Sequence, residues 1–373
     1  MGEDVIKKTM IESERYFLFL KDTLRRDGVF DRAWQGIDWQ VFFHFCEVQA
    51  ILGVAFDGML QLEEALKNKI GLNNLYEWIA VSEQIKQQNI LLNRRAVEVT
   101  KMFQDAGFRS CILKGQGNAL MYPNPLSRTA GDIDIWIDAD RKNIRNYVKS
   151  LCKDAVDGDM HISFPIFDDA VVEVHYKPSY TVNPLYEKRL QKYFMEISDA
   201  QFSNEVRLPS TEGTICVPTP EFNLVHQLSH IMGHFFVEGI GLRQFIDFYY
   251  VLRNQGNAHK DYGGILNRLG LLRFGRGVMW IEKYCLGLDD EYIVIEPDER
   301  IGMLILEEVQ NGGNFGHHDN RYSIRHNGYF ARGIIDGYRL VKLVPYFPVD
   351  SLWKLGKKIA NQRWKLNQKK YQT

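Results

Sequence analysis

The sequence predicts an α+β protein in which a strand-forming middle lies between two helical ends. Three observations carry that expectation. Before residue 105, apolar residues recur at alternating steps of four and three, as they do along one face of a helix. Between 108 and 217, short apolar runs are punctuated by glycine and aspartate, the pattern of strands and turns. After that, Thr219-Pro220-Glu221 combines a cap, a first-turn proline and an acid, a helix-start signal. The expected division is a helical N-terminal region over 1–105, a core over 106–218, and a helical C-terminal region with a basic tail over 219–373.

In chain order, Val41, Phe45, Val48, Leu52, Ala55 and Met59 form the first apolar stripe. A second helix is predicted from Leu75 to Phe103, stopped by Gly107. Ser110–Lys114 and Ile133–Ile137 read as strands, and Arg141–Cys152 reads as a helix capped by Asp138 or Asp140. His161–Phe167 and Ala170–Tyr176 flank Asp168-Asp169 as a hairpin. Glu205–Leu208 and Thr214–Val217 form a smaller hairpin about Glu212-Gly213. Helical spacing then runs to about residue 345, interrupted by a glycine-rich loop at 311–316. The end, Ser351 to Thr373, carries seven Lys/Arg and no acid, with Leu352, Trp353, Leu355 and Ile359 in an amphipathic pattern. A solvated terminal helix is the simplest account of it.

At 373 residues the chain has the length of two or three domains. Hydrophobic content of 45% and charged content of 25% are ordinary for a globular protein. A net charge of -1 offers no general attraction to nucleic acid, so none is expected as a partner. Cys46, Cys111, Cys152, Cys216 and Cys285 form no C-x-x-C pair, which predicts reduced thiols and a cytoplasmic protein. The acidic start, Met1-Gly2-Glu3-Asp4, predicts no signal peptide, and no apolar run is long enough to predict a membrane span.

The chemistry concentrates in the middle region. Strand side chains alternate faces, so Asp132 and Asp134 point one way while Ile133 and Ile135 point into a core. Two such close carboxylates repel each other, and a divalent cation such as magnesium removes that penalty. Glu173, in the alternating strand Val171-Val172-Glu173-Val174-His175, supplies a third carboxylate if the strands are neighbours. Taken alone, an Asp-x-Asp at a strand end equally caps the next helix or faces solvent. Upstream, Lys114-Gly115-Gln116-Gly117 turns out of a strand. Its glycines allow close backbone approach to a ligand, and the residues from Gln116 onward can open a helix towards phosphate. Lys114 either pairs with phosphate or stays solvated. Arg128, in a proline-stiffened loop just before the acids, either grips phosphate with two donors or pairs with a carboxylate.

Several motifs in this order resemble the uncharacterised nucleotidyltransferase family of the polymerase-beta-type nucleotidyltransferase superfamily. They are Leu113-Lys114-Gly115, Leu120-Met121-Tyr122-Pro123-x-Pro125, Arg128, Gly131-Asp132-Ile133-Asp134 and Glu173-Val174-His175. The resemblance continues through His226-Gln227-Leu228-Ser229-His230, His234, Gly241-Leu242-Arg243 and Asp247, and so covers most of the chain. It implies a nucleotidyltransferase-like core with a small mixed β-sheet flanked by helices. It also implies transfer of a nucleoside monophosphate from a nucleoside triphosphate to a small-molecule or protein acceptor. Asp132, Asp134 and Glu173 then become the catalytic acids and ligands of two Mg2+ ions, for which Mn2+ can substitute. The nucleotide-contacting set becomes Lys114, Gly115, Gln116, Gly117, Arg128, His175, His230 and Arg243. Gln116 departs from the small Gly or Ser usual after the turn glycine, which raises a second reading, a nucleotide-binding module without turnover. A third reading is the nucleotidyltransferase component of a toxin–antitoxin pair.

His226, His230 and His234 are spaced by four, so one helix face carries all three. Packing or capping is the first reading for them, lining of the cleft the second and a metal site the third. Arg243 and Asp247 share the same spacing and read as an ion pair on a helix surface. His317-His318-Asp319 has the composition of a phosphohydrolase His-Asp pair, but its glycine-rich setting favours a loop.

Overall fold

The computed structural model describes residues 2–25, 34–63, 67, 70–237, 239–255, 261–314 and 337–358, without the side chains of 2–12. The chain begins with helices α1 (Gly2–Arg25), α2 (Trp39–Val48), α3 (Leu52–Leu60) and the long α4 (Leu72–Asp105). The first apolar stripe holds in α3, where Leu52, Ala55 and Met59 are buried, but is displaced from its expected register in α2. Val41 is 46% exposed, while Trp39, Phe42 and Cys46 are the buried face of α2. The stripe also spans a break, because Ala50 takes φ 57 between α2 and α3 and ends the first helix. At the end of α4 the amides of Gly107 and Phe108 donate back to Gln104 and Phe103. Gly107 is at φ 83, a left-handed conformation that suits glycine.

The middle region comprises β1 (Ser110–Leu113), α5 (Gly115–Ala119), β2 (Ile133–Ile137), α6 (Arg141–Leu151), β3 (Val156–Asp157), β4 (His161–Ser163) and β5 (Val172–His175). Asp140 caps α6, its carboxylate accepting from the amides of Lys142 and Asn143. The strands form one mixed sheet in the order β1-β2-β5-β4-β3, with β2 and β5 parallel and the other pairs antiparallel. Next come α7 (Pro184–Glu196), α8 (Ser198–Gln201), the hairpin β6 (Glu205–Arg207) and β7 (Thr214–Cys216), then α9 (Pro220–Val237) and α10 (Leu242–Arg253). Then come α11 (Tyr262–Leu269), α12 (Leu272–Trp280) and α13 (Glu299–Gly312), and residues 337–343 and 348–358 are helical as well. The architecture is α+β with helical regions on both sides of a mixed sheet. Among the described residues no helix is long and apolar enough to cross a membrane. The five cysteines are free thiols.

Strand alternation divides the sheet between two hydrophobic cores. Ile112, Ile133, Ile135, Ile137, Ile162, Val172 and Val174 face Leu92, Ala96, Val99 and Phe103 of α4 and Ile144 and Val148 of α6. On the opposite face, Cys111, Leu113 and Trp136 join a larger core shared by the N-terminal helices and α9 to α13. Trp136 lies 4.5 Å from Phe202 and 5.6 Å from Phe222, ring to ring. Asp134, two residues before Trp136, therefore faces the helical part of the molecule.

The loop between α5 and β2 is held from the N-terminal side as well. Asn89 Nδ2 of α4 donates to the carbonyls of Leu126 (2.9 Å) and Arg128 (2.8 Å). Gly53 of α3 packs so closely that an added Cβ would stand 2.1 Å from the carbonyl oxygen of Ser127. Backbone cannot yield there as a flexible side chain can. Gly53→Ala is expected to destabilise the fold by about 1–3 kcal/mol, read as a lower urea midpoint at unchanged slope. An unchanged midpoint would show that the α3–loop contact is slack.

Candidate active site

Register brings the acids together. In the parallel pair β2–β5, Asp134 and Glu173 are direct partners, and Trp136 partners His175. Asp132, two residues earlier, completes a group in which one carboxylate oxygen from each residue lies within 4.8 Å of the others. Asp134 is 2% exposed. Its neighbours compensate its charge: Lys114 Nζ donates at 3.0 Å to one oxygen and His175 Nε2 lies 2.8 Å from the other. Burial alone would raise the Asp134 carboxyl. The Lys114 charge and the His175 bond outweigh it and hold Asp134 well below the usual carboxylate range. His175 responds in the opposite sense. Burial would lower it, but bonds to Asp134 and Glu173 push it up to about 9. Asp132 is raised, first by the charge of Asp134 and then by burial. That repulsion is what a divalent cation among the three acids would relieve, so the residues fit such an ion.

Lys114 reaches Asp134 through an unusual backbone. It sits at φ 51 at the start of α5, followed by Gly115 at φ 37. Positive φ at a non-glycine residue is uncommon and places local strain at the cavity wall. The expected glycine turn divides at this point. Lys114 and Gly115 line the cavity, whereas Gln116 and Gly117 are not among its lining residues. Gln116 is 2% exposed, and a Cβ on Gly117 would stand 2.9 Å from a Val217 methyl, so both serve packing.

Arg128 faces a carboxylate at close range. Its guanidinium binds Asp247 through two bonds, Nε–Oδ1 at 2.7 Å and Nη2–Oδ2 at 2.8 Å, and Tyr122 Oη donates to the same carboxylate at 2.6 Å. Arg128 is 5% and Asp247 2% exposed. Burial would raise the Asp247 carboxyl, but the Arg128 charge holds it low. This corrects the reading of Arg243 and Asp247 as a surface ion pair. Asp247 belongs to Arg128, and both residues of α10 are buried because that helix is covered on nearly every face. Arg243 instead donates to the carbonyls of Thr129 (3.3 Å) and Ala130 (3.4 Å), beside the acids.

The histidine face of α9 is graded. His226 is fully buried, its Nε2–H donating to the carbonyl of Pro178 at 3.0 Å, and burial, then the Lys114 charge, brings it down to about 3. His230 is likewise held well below its ordinary value by burial first. His230 and His234, with rings 4.3 Å apart, line the cavity, and His226 lies behind them.

The cavity measures about 1090 Å³. Of the expected site residues, Asp132, Asp134, Glu173, Lys114, Gly115, Arg128, His175, His230 and Arg243 all line it. Sequence reasoning passed over His161, whose Nδ1 lies 3.2 Å from Glu173 Oε2. It also passed over Tyr180, Gln227, Gln244 and Lys357. His161 had a usable signal, since it opens a strand expected to pair with the one bearing His175. Lys357 comes from the start of the basic tail; the tail beyond 358, with Ile359, and His317-His318-Asp319 lie outside the described residues.

Comparison with known proteins adds two findings. A family described as "Uncharacterised nucleotidyltransferase" matches residues 35–287. The crystal structure of an antigenic nucleotidyltransferase-like protein from Paracoccidioides brasiliensis matches at 11% identity, covering 59% of this chain and 96% of that one. The TM-score of the match is 0.31. No curated protein matches the chain.

Proposed function

The chain belongs to the uncharacterised nucleotidyltransferase family, and from that premise we propose that it moves a nucleoside monophosphate from a nucleoside triphosphate to a small-molecule or protein acceptor. The observation that carries this reading is the meeting of Asp132, Asp134 and Glu173 oxygens within 4.8 Å in the wall of one large cavity. An all-oxygen donor set suits Mg2+, two ions in this proposal, with Mn2+ as a substitute. When bound, such ions neutralise the triphosphate and its leaving pyrophosphate and activate the attacking oxygen.

The chain's own groups have separate tasks. Lys114 and Arg243 present positive charge to the phosphates, with Arg141 and Lys177 further round the same wall. His175 fixes the Asp134 carboxylate through its 2.8 Å bond. His230, kept neutral by its surroundings, offers a flat ring for base or acceptor without adding charge. At about 1090 Å³ the cavity exceeds the roughly 300–1,000 Å³ of ordinary small-molecule pockets, which leaves room for an acceptor beside a nucleotide. Gln116 lies outside the cavity lining, and this supports turnover over the binding-only reading. A cytoplasmic setting, proposed with the function, suits five free cysteines.

The test is direct. Purified protein is incubated with each nucleoside triphosphate, Mg2+ and a lysate as acceptor source. Pyrophosphate release is followed together with mass spectrometry for a nucleotidylated product. One triphosphate should give both signals, and chelation should abolish them. Tight nucleotide binding with neither signal, across all four triphosphates, would leave the binding-only reading in its place.

A further inference from the structure

Beside the acids, the sheet carries a second group of donors of different chemistry. In the antiparallel pair β4–β5, His161 and His175 are direct partners, and Glu173 stands two residues before His175 on the same face. A residue and its diagonal neighbour across such a pair are within reach of each other's side chains. Here His161 Nδ1 is 3.2 Å and His175 Nε2 is 3.6 Å from the same oxygen, Glu173 Oε2. All three donor atoms fall within 4.8 Å, and the two rings are 5.2 Å apart.

We propose that His161, Glu173 and His175 form a binding site for a transition-metal dication of the zinc class (Zn2+ or Co2+), separate in ligand chemistry from the all-oxygen group of Asp132, Asp134 and Glu173. The distances support it. An ion held tetrahedrally at roughly 2.0–2.1 Å separates its ligand atoms by about 3.3 Å, and two of the three separations here are already close to that. Two imidazoles and one carboxylate select such ions over Mg2+, which prefers oxygen. The second shell is in place: His175 Nδ1 lies 3.2 Å from the carbonyl of Lys177, which holds a proton on Nδ1, and an ion at Nε2 would displace the proton that this nitrogen shares with Asp134 Oδ1 at 2.8 Å. All three residues line the cavity, so a fourth position opens to water or a ligand. The site meets the proposed function at Glu173, which both donor groups share, and at His175, which also bonds Asp134, so occupation of one is coupled to the other.

The probe is Co2+ alone, added to the full chain without nucleotide or Mg2+ and followed by its visible d–d absorption. Four- or five-coordinate Co2+ with nitrogen ligands absorbs far more strongly than the six-coordinate all-oxygen ion. Wild-type protein should give the strong, saturable band. His161→Asn, at a side chain one-third exposed, should fold normally by circular dichroism and lose at least tenfold in Co2+ affinity or lose the band. Asp132→Asn should keep it. A wild-type spectrum limited to the weak all-oxygen form, His161→Asn binding like wild type, or Asp132→Asn losing the band as His161→Asn does, would each overturn the proposal. Failure of the nucleotidyltransferase reading would appear elsewhere, as absent pyrophosphate release, and would leave the cobalt spectra unchanged.

Discussion

Asp134→Asn should abolish Mg2+-dependent pyrophosphate release while leaving the protein folded. Asp134 stands at the centre of the acid group, opposite Glu173 in register and two residues from Asp132. Asparagine keeps its shape and removes its charge. The substitution therefore takes one anionic ligand from the proposed metal pair and leaves Lys114 and His175 facing a neutral amide. Stabilisation by such ions amounts to several kcal/mol in the transition state. At about 1.4 kcal/mol per tenfold, the expected loss in kcat is roughly a thousandfold or more. Nucleotide affinity measured in chelator should change far less, because that part of binding rests on the cationic wall. A folded Asp134→Asn protein with wild-type turnover would remove this acid group from the chemistry and with it the carrying observation of the proposed function.

The second large effect is on stability. Asp247→Ala leaves the Arg128 guanidinium buried without its carboxylate, and Tyr122 without its acceptor. Breaking a buried pair from one side costs about 3–5 kcal/mol, because the remaining charge is uncompensated. The double variant Arg128→Met with Asp247→Leu removes both charges and should recover most of that loss, since a well-packed apolar replacement of a buried pair is often neutral. Urea unfolding of wild type and the two variants provides the comparison. A loss below about 1 kcal/mol for Asp247→Ala would mean that water reaches the pair. The consequence extends to the site, because Arg128 begins the segment that carries Asp132, and Arg243 of the same α10 helix holds the carbonyls between them.

Much of the candidate site's placement was legible because strands have a fixed period. Alternation in Ile133–Ile137 and Val171–His175 was enough to place Asp134 and Glu173 on polar faces of apolar strands, and the neighbouring glycine turn marked the cavity wall at Lys114 and Gly115. Helix patterns proved weaker guides. The first stripe holds at Leu52, Ala55 and Met59, which are buried in α3, but in α2 Phe42 and Cys46 are the buried face while Val41 is exposed and Phe45 only partly buried, because apolar residues on both sides of α2 leave its phase ambiguous. Arg243 and Asp247 looked like a local pair because four-residue spacing is the nearest partner a sequence offers. The partner that Asp247 binds is 119 residues away.

By itself, then, the sequence determined the α+β class, the two helical flanks around a sheet, and the chemical character of the site as carboxylates near a lysine-glycine turn. These depend on local periodicity and residue type, which a linear chain displays directly. Only the tertiary structure decided that the two helical flanks share one core, that Arg128 is held by Asp247, that Gln116 turns away from the cavity, and that His161 meets Glu173 and His175. Each of these is a contact between segments distant in the chain. Strand order, helix rotation and burial determine such contacts, and those come from the packing of the whole molecule, since a short window of residues carries no record of which distant surface will cover it.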